Sequence, residues 1–237
     1  MKKQAWTKIF MIVLWVITGF AIIFGVLYRT YGFVGSKKTV AGDNNIDGKI
    51  ESIDLDVSIG DIKIVYGDAA SVHYEYPEDY APEIYWENGA LSVTENYRGN
   101  ITNNMANEKY SLVVTIPQND DLKDVTISAD MGNVKFKDIS VTGKFDITSD
   151  MGNVELDNIV CDKFSAEVDM GNIELKNITA KTIDVMADMG NIQVDGEFDN
   201  LTGNCSMGNL EVATPNENAV IDVETDMGNC TVNGKKR

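Results

Sequence analysis

The sequence predicts an all-β protein: a parallel β-solenoid (β-helix) with a less regular β cap, preceded by one N-terminal transmembrane helix. Three observations predict it. A tetrapeptide containing Met-Gly-Asn recurs six times at steps of 18–20 residues. Apolar residues alternate with polar ones on both sides of every copy. A run of twenty uncharged residues stands near the N-terminus.

In chain order, residues 1–8 form a short basic tip with Lys2, Lys3 and Lys8. Residues 9–28 follow without a charge. At about 1.5 Å per residue they span a hydrocarbon core of roughly 30 Å. A cleavable signal peptide has a shorter apolar region and a small-x-small cleavage site. Tyr28-Arg29-Thr30-Tyr31 offers no such site, so an uncleaved anchor is expected. Basic residues flank both sides. The short basic tip before a long acidic body favours a cytoplasmic N-terminus and an extracytoplasmic C-terminal domain in the cell membrane. Residues 29–45, rich in Gly, Ser, Lys, Thr, Asn and Asp, read as a stalk.

Residues 46–128 hold a divergent first coil and a cap. Ile53, Leu55 and Val57 precede Ser58-Ile59-Gly60-Asp61, and Ile62 and Ile64 follow. The next motif lies 72 residues on. The intervening strand-like runs, punctuated by Pro77, Pro82, Asn88-Gly89 and Gly99-Asn100, are expected to cover the N-terminal end of the stack.

Residues 129–237 are the regular repeats. The motifs are Asp130-Met131-Gly132-Asn133, Asp150-Met151-Gly152-Asn153, Asp169-Met170-Gly171-Asn172, Asp188-Met189-Gly190-Asn191, Ser206-Met207-Gly208-Asn209 and Asp226-Met227-Gly228-Asn229. Five and three positions before each start, and four and six after it, the residues are mostly apolar, as in Phe164, Ala166, Ile173 and Leu175. Period-two alternation means two short strands per repeat, each burying one face. Gly-Asn turns the chain between them, because both residues tolerate positive φ. The methionine is expected to continue the inward series. Ile139, Ile159 and Ile178 are expected to plug the following corner. Equal unit lengths favour in-register stacking over hairpins, with a right-handed crossover as the expected hand. At about 4.8 Å spacing, stacked Asn side chains reach one another.

These residues resemble a known family. Ile53 to Ile64 is similar to its opening signature, Tyr110 to Pro117 to the strand that precedes the repeats, and the Gly-Asn units to its repeats. The family is the bacterial putative-adhesin family of β-strand-repeat domains of unknown function. The resemblance covers about residues 45–235, and the Met-Gly-Asn form departs from the commoner Ser-Gly-Asp form. It implies a surface-exposed bacterial β-helix and supplies no catalytic residues.

Composition narrows the function. The chain carries 37 acidic and 20 basic residues. Residues 1–38 contain six of the basic and none of the acidic ones, so the remainder carries a net charge of −23. Nucleic acid is excluded as a partner, because phosphate contacts need Lys and Arg. The cysteines, Cys161, Cys205 and Cys230, form no metal-ligand spacing, and His73 is the only histidine. No cofactor and no metal is expected. Cys205 and Cys230 read as small core residues. The aspartates of the motif could form a calcium ladder, but Ser206 is a poor ligand. Asp capping of its own turn is the preferred reading. Candidate binding residues are the aromatics Tyr74, Tyr76, Tyr80, Tyr85, Trp86 and Tyr97, which serve equally as cross-strand packing. The last coil ends near Val232, so its edge is a candidate for end-to-end self-association, with Lys235, Lys236 and Arg237 as alternative guards. A polysaccharide-cleaving enzyme would need carboxylates converging beside Lys or Arg. The expectation is therefore a non-catalytic binding, adhesion or scaffold module of the cell envelope that meets an envelope protein or a cell-wall glycan. The alternative is a regulatory ectodomain with a membrane partner.

Overall fold

The computed structural model describes residues 39–95, 110–118 and 120–236. Its strands are β1 (Thr39–Asn45), β2 (Ser52–Ile59), β3 (Asp61–Gly67), β4 (Ser71–Pro77), β5 (Glu83–Glu87), β6 (Ala90–Thr94), β7 (Ser111–Pro117), β8 (Asp124–Met131), β9 (Val134–Lys137), β10 (Ser140–Met151), β11 (Val154–Asp157), β12 (Val160–Met170), β13 (Ile173–Met189), β14 (Ile192–Met207), β15 (Leu210–Ala213), β16 (Val220–Met227), β17 (Cys230–Val232) and β18 (Lys235–Lys236). The predicted membrane segment, residues 9–28, lies outside the described residues. Among those described, no helix is long and apolar enough to cross a membrane.

Two parallel ladders build the solenoid. One stacks β6, β2, β8, β10, β12 and the later parts of β13 and β14, ending on β16. The other stacks β7, β3, β9, β11 and the opening parts of β13 and β14, ending on β15 and β17. Equivalent residues face each other along the ladders, the register shifting only near the corners, between Val141 and Lys144 and between Leu175 and Ile178. Ile173 lies between Val154 and Ile192, and Phe164 between Phe145 and Ile183. All six of these side chains are at most 2% exposed. The corner residues Ile139, Ile159 and Ile178 are buried, as are the three cysteines. Each coil contributes several such side chains, worth about 1.5–3 kcal/mol apiece before chain entropy is subtracted.

Chain order and stacking order differ at the N-terminal end. The inserted strands β6 and β7 pair in parallel with β2 and β3, and so add a coil of their own. The β2–β3 coil is therefore enclosed between β6–β7 and β8–β9. Antiparallel β4 and β5 flank this end, pairing with β7 and β6. Thr39–Asn45, expected as the end of a stalk, instead forms β1 and pairs antiparallel with β4. Backbone hydrogen bonding to a neighbouring strand orders these residues, although few of their side chains are apolar. At the other end, Asn233 and Gly234 take positive φ (49° and 71°) and return β18 antiparallel onto β17. That is the backbone a two-residue Asn-Gly hairpin requires.

The methionine column differs from expectation. Met151, Met170, Met189 and Met207 are 40–43% exposed and Met227 is 62% exposed. The inward position is one residue before the motif start, filled by Ala129, Ser149, Val168, Ala187 and Cys205, all buried. Inward positions are odd before the motif and even after it, so the chain must change phase inside it. Asp and Met both face outward, and that is where the phase changes.

Glycine is required at the turn for a second reason besides its dihedral. At Gly190, φ is 150°, and a Cβ would lie 1.7 Å from the carbonyl oxygen of Gly171 in the preceding coil. The column stacks backbone on backbone, leaving no room for a side chain.

Candidate functional site

The turn column is joined by asparagine. Asn153, Asn172, Asn191, Asn209 and Asn229 each donate both their backbone N–H and their Nδ2 to the Oδ1 of the preceding coil's Asn, at 2.9–3.3 Å. The series starts at Asp61, whose Oδ1 accepts from Asn133 N–H and Nδ2 at 3.0 and 2.9 Å. The first member only has to accept, so a carboxylate serves there. The glycine N–H groups are committed elsewhere, as in Gly171 N–H to Met189 O at 2.9 Å. The motif's aspartates thus do not cap their own turn, contrary to expectation. Both N–H groups they would have used are taken by neighbouring coils.

Released from capping, those aspartates line an outward face. The positions at the motif start, and two and four residues before it, hold Asp54, Asp56, Asp130, Asp146, Asp150, Glu167, Asp169, Asp184, Asp188, Asp222, Glu224 and Asp226, and no Lys or Arg. Lys144 reaches Asp146 from the margin. Burial, and then repulsion from Asp150 and Asp56, holds the Asp130 carboxyl above the usual carboxylate range, against a hydrogen bond from Ser58. The exposed methionines form a thioether ridge along one border of this face, one residue beyond the Asp column. Sequence reasoning missed the ridge. The opposite parity of the flanking columns signals a phase change inside the motif, but not that the methionine absorbs it.

The second ladder presents a different surface. An open groove of about 610 Å³ is lined by Lys63, Lys135, Lys137, Lys176, Glu155, Asp157 and Glu174, among others. Its charges are largely paired: Lys135 with Glu155 at 2.9 Å, Lys137 with Asp157 at 3.0 Å and Lys176 with Glu174 at 2.5 Å. Hydrogen bonds to their carboxylate partners raise the pKa of Lys137 and Lys176. Hydrogen bonds from Asn177 and Lys137 lower that of Asp157. Lys137, Lys176 and Asp157 are thus held in their charged forms, the reverse of what a general acid or base needs. Among the described residues, no cluster of His, Cys, Asp or Glu is placed to hold a metal ion.

The aromatic candidates do not form one platform. Tyr76 is fully buried and Tyr80 is 9% exposed. With Tyr74 and Tyr110 they pack edge to face, at centroid distances of 5.8–6.3 Å. Tyr85 and Trp86 are exposed on β5, adjacent in sequence and therefore on opposite faces of the strand. The Trp86 indole donates to Lys49 O at 3.3 Å and lies over Gly48, where a Cβ would meet the ring at 2.4 Å. Tyr97 lies outside the described residues.

One buried carboxyl stands out beside the acidic face. Glu95 is 6% exposed. Its Oε2 accepts from Ile59 N–H at 2.9 Å, while its Oε1 and the nearby Tyr76 hydroxyl have no partner. Burial pushes its carboxyl up to about 7, opposed by backbone N–H groups of Ile59 and Ser58 and assisted by Asp130 and Asp56.

A parallel stack of short coils, turned by Gly and joined by an Asn ladder, defines this protein as a β-strand-repeat solenoid. The chain belongs to the Toastrack DUF4097 family, whose profile matches residues 50–237. Its fold is similar to the crystal structure of a "putative adhesin" from Bacteroides fragilis, at 15% identity and TM-score 0.54, covering 83% of this chain and 97% of that one. Structures under the same description from Parabacteroides distasonis and Parabacteroides merdae match at 16% and 17% identity, each with TM-score 0.42. Each covers 84% of this chain, and 97% and 96% of their own. No curated protein matches the chain.

Proposed function

We propose that this protein is a membrane-anchored, extracytoplasmic, non-catalytic binding or scaffold module of the bacterial cell envelope. The observation that carries the binding reading is the one-sided face: twelve carboxylates and no cation within its columns, with Lys144 reaching in from the margin, bordered by exposed methionines. A rigid, in-register stack keeps such a face flat and constant, which suits a scaffold. The uncharged segment at residues 9–28 supports anchoring, and the basic residues just before it, Lys2, Lys3 and Lys8, support an extracytoplasmic place for the body. The test is a pull-down with the full chain in detergent, against purified cell-wall fractions and solubilised membranes in parallel. Retention on wall or glycan supports the adhesion and scaffold reading. Recovery of one membrane protein moves the assignment to a regulatory ectodomain. Retention on neither refutes the binding reading. Self-association through the C-terminal coil, where Val220 and Met227 are 64% and 62% exposed, is a separate proposal that sedimentation at rising concentration tests.

A further inference from the structure

We infer that the methionine ridge and its bordering aspartates form a docking surface for a basic amphipathic α-helix of a partner protein. The inference rests on the binding reading above and names the kind of partner.

Six methionines in successive coils occupy one outward column, and five of them are at least 40% exposed. An outward position on a turn carries no packing demand for an apolar residue, and an uninterrupted apolar strip on a surface marks an interaction site. Thioethers suit that role because they are polarizable and adapt to the partner's shape. On one side of the strip stand Asp150, Asp169, Asp188 and Asp226. On the other stand the Asn side chains of the turn ladder, which carry no charge and are already hydrogen-bonded to one another. A partner must therefore offer an apolar stripe with cations along one flank only.

Spacing selects the partner's secondary structure. Adjacent coils are about 4.8 Å apart, so five steps from Met131 to Met227 cover about 24 Å. An α-helix presents its apolar stripe every 5.4 Å and drifts by about 3 Å over those five steps, within reach of Met and Lys side chains. An extended strand repeats every 6.6–6.8 Å and drifts by about 9–10 Å. A helix of about 16 residues matches the ridge from end to end.

The experiment uses the full chain in detergent and a fluorescent 18-residue peptide of Leu and Lys, with Leu at helical spacing and Lys on one flank. A peptide of identical composition with Leu at alternate positions is the control. The expected result is saturable one-to-one binding with a gain in helicity, at least about tenfold tighter than the control. Met170→Lys with Met189→Lys, at exposed positions, should weaken it by at least about tenfold without changing the melting temperature. Equal binding of both peptides, or an unaffected double variant, overturns the inference. Self-association lost in the double variant, with no peptide binding, would assign the ridge to a second copy and also overturn it. If the pull-downs still succeed with the double variant, only the ridge assignment falls and the wider binding reading stands.

Discussion

Replacing Glu95 with Gln is expected to stabilise the solenoid by about 3 kcal/mol at pH 8 and to remove most of its pH dependence between about pH 4.5 and 7. The carboxyl titrates near 7 in the folded chain, against an ordinary value of 4.5. Between those values the folded state holds a proton that the unfolded state has released. Stability therefore falls as pH rises through this window, and levels off above about 7. At about 1.4 kcal/mol per unit, the gap corresponds to about 3 kcal/mol. Gln keeps an oxygen for the Ile59 N–H and places an amide where Oε1 now has no partner, beside the buried Tyr76 hydroxyl. It carries no charge to desolvate. The assay is urea unfolding of both proteins at pH 5, 6, 7 and 8, with midpoints compared at fixed m. A flat wild-type profile, or an equal slope in the Gln variant, would refute the reasoning. Loss of stability in the variant at every pH would show that the charge, rather than its hydrogen bonds, holds Ile59 and Ser58.

Three further outcomes follow from the packing. Ile173→Asp places a charge between Val154 and Ile192 and should cost more than about 4 kcal/mol, read as a lowered unfolding midpoint. Gly190→Ala should prevent coils from stacking in register, read as loss of the β circular-dichroism signal or of soluble protein, because no rotation removes a 1.7 Å contact with backbone. Asn172→Ala removes a donor to Asn153 and an acceptor for Asn191 and should cost about 1–2 kcal/mol, while Asn172→Asp restores only the acceptor when ionised and should recover more of that loss at low pH, where the protonated acid can also donate.

The stack was legible because its signal is repeated. Val154, Ile173 and Ile192 occupy one column in sequence and in space. The orientation of the methionines was not legible, because alternation says that a phase change occurs within Asp-Met-Gly-Asn and not which residue absorbs it. The place of the insert was also hidden. Leu91 and Val93, and Leu112 and Val114, alternate as coil strands do, but residues 95–110 separate β6 from β7, where the regular repeats place a two-residue turn. β1 is ordered mainly through backbone pairing, which leaves little trace in side chains such as Gly42, Asp43 and Asn44. The Asn233-Gly234 pair is a readable hairpin signal, but Lys235 and Lys236 after it show none of the alternation that marks a strand. Glu95 has no sequence signature, since its surroundings come from β2, β4 and β8.

The enclosure of the β2–β3 coil has a kinetic consequence. From β8 onward each strand meets its neighbour about 20 residues away, whereas β2 meets β8 across 72 residues. Closing the longer loop costs about 1 kcal/mol more in chain entropy. The regular repeats can zip locally, one coil upon the next, while β2 and β3 wait for partners on both sides. The end of the solenoid that holds β2 and β3 is thus expected to close last. During synthesis, the segment made first would remain open until the repeats behind it supply a surface on which to settle.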